Sequence, residues 1–200
     1  RRNINFVKEH ESLIKILDIG KCQNRKHKNK SYNIFPYYPL GDLTNKTKVL
    51  LNKKNIIKSL FTGIDHCHKN DLCHRDIKPG NVLIKNKNSV ILCDFGLATS
   101  EVSIKHRAGT PCYISPEIKL GELYDYRCDL WSAGMTCLHL YTNNNFIKDM
   151  YIANIDTYEF IKYHHPQTWY KFPDYVKTIL ENTLVPAKSR ISAEEIIMTC

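Results

Sequence analysis

The sequence predicts an α+β fold, with a small β portion near its start and a mainly helical remainder. Three observations carry that prediction. Between positions 55 and 69, Ile56, Ile57, Leu60, Phe61 and Ile64 fall on one helical stripe. Two short apolar runs, Val82-Leu83-Ile84 and Val90-Ile91-Leu92-Cys93, flank a turn and read as a β-hairpin. A third run, from Asp129 to Leu140, is apolar at helical length. A chain of 200 residues buries a real core and makes one domain, or one and a fraction.

In chain order, positions 1–8 read as a helix and positions 12–17 as a strand. Positions 21–30 are a basic stretch, read as a solvated loop, which supplies part of the net charge of +9. Aromatic residues are not interleaved there as a base-stacking surface requires, so nucleic acid is not the expected partner. Positions 31–43 read as a strand, a turn punctuated by Pro36 and Pro39, and then a helix. After the 55–69 helix the hairpin turns over Lys85 to Ser89. Thr142-Asn143-Asn144-Asn145 ends the apolar helix with turn formers. Positions 146–169 are uninformative. Pro173-Asp174 opens a helical stretch through Leu184, and Ser192-Ala193-Glu194-Glu195 is a capping-box pattern for a last helix.

Composition excludes some classes of protein. No run is long or apolar enough for a membrane span, and no signal peptide opens the chain, so no membrane partner is expected. The eight cysteines include no Cys-x-x-Cys pair and read as reduced thiols, which fits a cytoplasmic or nuclear location. His66-Cys67-His68 raises a metal reading that only Cys73 and His74 lie near enough to support.

The chemistry concentrates in His74-Arg75-Asp76-Ile77-Lys78-Pro79-Gly80-Asn81, which holds a carboxylate, a guanidinium, an ammonium and an amide in one loop. The hairpin that follows returns its second strand toward the start of its first. Asp94, at the far end, should therefore sit near Asp76 and Asn81. Two carboxylates and an amide offer oxygen donors of the kind Mg²⁺ shares with substrate phosphates. Gly96, directly after Asp94-Phe95, should allow a backbone turn closed to other residues.

His-Arg-Asp-x-Lys-x-x-Asn, then Asp94-Phe95-Gly96, then Gly109-Thr110-Pro111-Cys112-Tyr113-Ile114-Ser115-Pro116-Glu117 stand in an order and spacing that resembles the eukaryotic protein kinases of serine/threonine type. The likeness is recognised from that family's signature set and covers almost the whole chain. It implies a protein-kinase-like fold with a mainly helical C-terminal lobe and an incomplete N-terminal β lobe. Residues 1–200 then form a kinase domain truncated at its N-terminus: 1–35 the end of helix C and strands 4 and 5, 36–42 the hinge, and 43–200 the C-lobe. The glycine-rich loop, the strand-3 lysine and the helix-C glutamate are expected before Arg1, and the start at arginine favours a fragment.

The resemblance also implies roles. Asp76 accepts or orients the proton of the substrate hydroxyl, and Lys78 neutralises charge on the transferred phosphate. Asn81 and Asp94 hold Mg²⁺, with ATP as the phosphate donor. Thr110 closes the floor of the site on Asp76 and Lys78. For the nucleotide, Phe35 is the gatekeeper, Pro36 offers a carbonyl, Tyr38 an N–H, Asp42 a ribose contact, and Leu83 the floor under the adenine. His74 and Phe95 pack in an apolar spine. Arg75 marks kinases whose activation segment is ordered by phosphorylation, with Thr99, Ser100 and Ser103 as candidates. Structurally, Glu117 pairs with Arg190, and Asp129 accepts backbone N–H groups of the 74–81 loop.

The expected activity is ATP-dependent phosphorylation of Ser or Thr in protein substrates, in cell-cycle or signalling control. Gly80, where basophilic kinases often carry glutamate, argues against basic substrates. Pro36 and the Arg107-Ala108-Gly109-Thr110-Pro111 segment look like the cell-division kinases that work with a regulatory subunit. The alternative is a scaffold that binds partners without catalysis. Upstream sequence separates the two, through a Gly-x-Gly-x-x-Gly strand pair and a Val-Ala-x-Lys strand.

Overall fold

The computed structural model describes residues 9–21, 30–44, 52–142, 144–152 and 158–200. The helix expected over positions 1–8, most of the basic 21–30 stretch and the helix expected after Leu43 lie outside the described residues. Two antiparallel two-stranded sheets come first: β1 (Asp18–Lys21) with β2 (Ser31–Ile34), and β3 (Val82–Asn86) with β4 (Ser89–Leu92). Between them lies α1 (Lys53–Lys69), and after them α2 (Pro116–Lys119), α3 (Arg127–Tyr141), α4 (Asn144–Ile152), α5 (Tyr158–His164), α6 (Pro166–Lys171), α7 (Asp174–Thr183) and α8 (Ala193–Thr199). No helix among the described residues is long and apolar enough to cross a membrane.

The expected strand over 12–17 is displaced. Pairing with β2 starts at Asp18, while Leu13 and Ile14 are buried against β4 instead. The Ile14 N–H donates to Leu92 O at 2.9 Å and the Leu92 N–H to Ser12 O at 2.8 Å. These two apolar residues follow the main core rather than the first sheet. The hairpin turn is also tighter than expected. Asn86 pairs with Ser89, so Lys87-Asn88 alone form the turn, closed by the Asn88 N–H on the Asn86 side chain at 2.8 Å.

Helix α1 begins three residues before Ile56, the first of its apolar stripe, because the Asn52 side chain caps it, accepting from the Asn55 N–H. Its buried face (Ile56, Ile57, Leu60, Phe61, Ile64) packs on β4 and α8. Helix α3 is buried on nearly every side, as a helix apolar all round must be. Gly134 is where α7 approaches it most closely: a Cβ there would meet Thr183 Oγ1 at 2.2 Å. Thr142 ends α3, and α4 follows almost at once. The uninformative 146–169 region contains α4, α5 and α6, whose Ile147, Ile161 and Trp169 join Trp131 and Leu138 of α3 in a second apolar cluster. The capping box at Ser192 and Glu195 is formed on both sides.

Candidate active site

The 74–81 loop is held from below by the first turn of α3. Asp129, fully buried, accepts the His74 N–H at 2.7 Å on Oδ2 and the Arg75 N–H at 2.8 Å on Oδ1. His68 Nε2, at the end of α1, approaches Oδ2 at 3.1 Å. Burial alone would push the Asp129 carboxyl up. The hydrogen bond and charge of His68, with the charge and N–H of His74, more than offset this and hold it below the ordinary carboxylate value. This anchoring matters because Arg75 sits at φ 67°, a left-handed conformation that costs a non-glycine residue on the order of 1 kcal/mol or more. Gly109 lies against that same turn at φ 106°, and a Cβ there would come within 2.6 Å of Arg75 O. Only glycine lets the later segment close on the loop.

Above this base, three donors converge on Asp76. Thr110 Oγ1 donates to Oδ1 at 2.7 Å, Lys78 Nζ reaches Oδ2 at 2.9 Å, and Asn81 Nδ2 reaches Oδ2 at 3.0 Å. Lys78 Nζ also donates to Thr110 Oγ1 at 2.7 Å, which closes a triangle of Asp76, Lys78 and Thr110. Asn81 Nδ2 further donates to Asp76 O at 2.8 Å, so the amide nitrogen is occupied and the amide oxygen is the group left to accept.

The hairpin brings Asp94 back to this loop, since the Cys93 N–H donates to Asn81 O at 2.9 Å. Asp94 is exposed. The turn at Asp94-Phe95-Gly96 differs from the expectation. Its left-handed residue is Asp94 itself, at φ 62°, and the Asp94 carboxylate accepts the Gly96 N–H at 3.3 Å. An Asp tolerates this conformation by bonding its own backbone two residues on. A Cβ on Gly96 would stand 3.1 Å from Asp94 Oδ1, so the glycine serves closeness to the carboxylate rather than a positive φ. His74 and Phe95 pack ring against ring at 4.8 Å, and His74 Nε2 meets Cys93 O at 2.9 Å.

Of the residues assigned to the nucleotide, Asp42 and Leu83 lie at the end of this loop, Leu83 two residues on from Asn81. Asp42 bridges to Leu83, and the Ile84 N–H donates to Gly41 O at 2.8 Å, tying positions 41–42 to β3. The Asp42 carboxylate accepts the Thr44 N–H at 2.9 Å and also the Thr44 hydroxyl. Burial, then the charges of Asp94 and Asp42, pushes the Cys93 thiol up to about 12. Tyr38 and Leu83 pack against the main core. Phe35 is exposed and Pro36 half-buried at the end of β2.

The segment after Gly96 is pinned at several points. Thr99 exchanges two backbone hydrogen bonds with Cys73, and Arg75 Nε donates to Leu97 O at 2.5 Å. Thr99 Oγ1 accepts the Glu101 N–H, while Ser100 and Ser103 are exposed. Farther on, Arg190 donates to both oxygens of Glu117, at 2.6 and 2.9 Å. Burial raises the Glu117 carboxyl, and the Arg190 hydrogen bonds and charge overcome this and leave it lowered.

Sequence reasoning missed two residues that shape the site. His68, singled out for metal, instead meets Asp129, while its neighbours diverge: His66 stacks on His10 and Cys67 is buried in the core. Tyr124 bridges to Ile104, and its hydroxyl donates to His106 O at 2.6 Å. Neither contact has a local signal, because the partners lie 61 and 18 residues away in the chain. Among the described residues, the group able to hold a metal through three ligands is the buried Cys73, Cys128 and Asp129.

Residues 2–199 match the profile of the protein kinase domain. The chain is 34% identical over 149 residues to calcium-dependent protein kinase 3 of Plasmodium yoelii yoelii, covering 68% of this chain and 27% of that protein. It is 30% identical over 157 residues to calcium-dependent protein kinase 4 of Plasmodium falciparum (isolate 3D7), covering 68% of this chain and 30% of that one. The chain thus spans less than a third of the length of these relatives. Their names neither carry nor oppose the narrower resemblance to cell-division kinases.

Proposed function

Because the chain belongs to the protein kinase domain family, we propose that it transfers the γ-phosphate of ATP to Ser or Thr hydroxyls of protein substrates. The observation that carries this reading is the closed triangle of Asp76, Lys78 and Thr110 beside Asn81 and Asp94. In a loose phosphoryl transfer the protein mostly positions groups and balances charge, and these residues suit both tasks. Asp76 receives or orients the proton of the acceptor hydroxyl. Lys78, a mobile point charge, lies against the transferred phosphate. Thr110 fixes both of them and so sets the acceptor's place. Lys78 after Asp76, together with the Gly109-Thr110-Pro111 segment, supports Ser and Thr over Tyr as acceptor.

The free amide oxygen of Asn81 and the exposed carboxylate of Asp94 are hard oxygen donors, and they fit Mg²⁺. Bound there, such an ion would supply positive charge against the triphosphate. Tyr38, Asp42 and Leu83 are assigned to the nucleoside by the same reading. Phosphorylation of Thr99, Ser100 or Ser103 would place a doubly charged group within the segment that Arg75 already contacts at Leu97.

The reading is tested by supplying ATP and Mg²⁺ with a mixture of Ser, Thr and Tyr peptides and locating the phosphate by mass spectrometry. Phosphoserine and phosphothreonine are the expected products. Phosphotyrosine alone would overturn the acceptor class. Peptides bound but never modified would leave the scaffold as the better account.

A further inference from the structure

We propose that the substrates of this site carry acidic residues within about five positions of the phosphoacceptor, read by Lys105, His106 and Arg107. The inference rests on the phosphotransfer reading above and adds the substrate class to it. All three side chains are exposed, and no ion pair to any of them is found among the described residues. Exposed charge is common, and by itself this run would be no more than a solvated face. Its backbone distinguishes it.

That backbone is held at both ends and in the middle. Ile104 exchanges two hydrogen bonds with Tyr124, at 2.8 and 3.0 Å. The Tyr124 hydroxyl fastens His106 O at 2.6 Å. Gly109 closes on Arg75 O, and Thr110 is bonded to both Asp76 and Lys78. A basic tripeptide is therefore presented at a set distance from the carboxylate that receives the acceptor hydroxyl. Arg107 lies three residues from Thr110, which limits their Cα separation to about 11 Å. An extended peptide with its hydroxyl at Asp76 spans that distance in about three residues.

Two of the nearby carboxylates are already engaged, while Glu101 and Glu122 are exposed with no ion pair found among the described residues. Asp125, beside the pinning tyrosine, is gripped by Arg127 at 2.6 Å, and Glu117 by Arg190. Within the loop, Gly80 carries no side chain to receive a basic residue, and its open space is bounded by the Thr44 methyl at 3.9 Å. The pinned tripeptide thus offers three unpaired basic side chains, against the exposed carboxylates of Glu101 and Glu122. An arginine beside the acceptor would meet repulsion, and a glutamate attraction, weak per pair at an exposed site but additive over several.

The test uses the full-length protein, with binding measured after phosphatase treatment, so that no internal phosphate occupies the basic segment, and transfer measured on the untreated protein. Ser peptides flanked on either side by Glu, Ala or Lys are compared by fluorescence anisotropy for binding and by kcat/KM for transfer. Glu-flanked peptides should bind about tenfold more tightly than Lys-flanked ones at low salt, and the gap should close as salt rises. The double variant K105E/R107E should reverse the preference while leaving transfer to the Ala-flanked peptide near its original rate. Equal binding of the three peptides, or an acidic preference that survives K105E/R107E, overturns the inference. Anisotropy needs no turnover, so the two readings fail separately. Preference without transfer would remove only the catalytic reading, and transfer without preference only this one.

Discussion

Helix α3 and the β1–β2 sheet are both rich in apolar side chains, and they end in opposite surroundings. Along α3, Leu130, Ala133, Cys137 and Leu138 are fully buried between α1, α4 and α7. On the first sheet Ile19, Tyr32 and Ile34 each remain 45–54% exposed. The difference shows where rigidity is available to the site. A helix enclosed on all sides can hold the Asp129 carboxylate out of water because backbone N–H groups and His68 replace the lost hydration. The sheet has no such enclosure among the described residues, and it joins the site through the segments on either side of it, Ser12 and Ile14 on Leu92 before β1 and positions 41–42 on β3 after β2. The Asp76 side of the cleft should therefore depend strongly on α3 and weakly on β1–β2.

The largest effect expected from this contrast is at Asp129. Asp129→Ala leaves two loop N–H groups and His68 unpaired inside the protein, and should cost about 3–5 kcal/mol in denaturant unfolding. A loss as small as that of a surface substitution would break the comparison at its centre. Next comes Gly134→Ala, which forces a methyl against Thr183 and should cost about 1–3 kcal/mol, read from the same midpoints.

Acid provides a third measure. His74 is lowered by burial, so the unfolded chain takes up that proton first and stability begins to fall below about pH 6.5. Glu117 and Asp129 are also lowered in the fold. Their contribution is complete above the ordinary values of 4.5 and 3.8 and is lost as pH falls through the lower folded values. The unfolding midpoint should thus decline in two stages, and Glu117→Gln should flatten the second. A midpoint that stays level from pH 7 to 3 contradicts the assignment. The smallest effect belongs to the sheet: Ile19→Thr should shift stability by no more than about 0.5 kcal/mol.

Features with local causes were legible in the sequence. The stripe of α1, the capping box of α8 and the hairpin follow from spacing and cap chemistry within a few residues. The 74–81 loop was legible as a chemical unit because its charged groups are adjacent in the chain. Features decided by distant partners were not. Leu13 and Ile14 look like a strand until β4 is present to bury them. The left-handed turn at Asp94 depends on the aspartate's own carboxylate, although the adjacent glycine is the more obvious local signal. The helices of the 146–169 region draw their register from Trp131 and Leu138 of α3, so their own mixture of aromatic, histidine and asparagine residues shows no period. His68 resembled a metal ligand because its partner lies on another helix.

In the proposed function Asp76, held by Thr110, Lys78 and Asn81, is the group on which phosphotransfer turns. Asp76→Asn keeps the shape and one of the two acceptor oxygens, while removing the charge and turning an NH₂ group toward donors that the second oxygen now receives. Turnover of a Ser peptide should fall by ~10²–10⁴ while the protein stays folded under the assay conditions. Turnover equal to that of the unaltered protein would contradict the account.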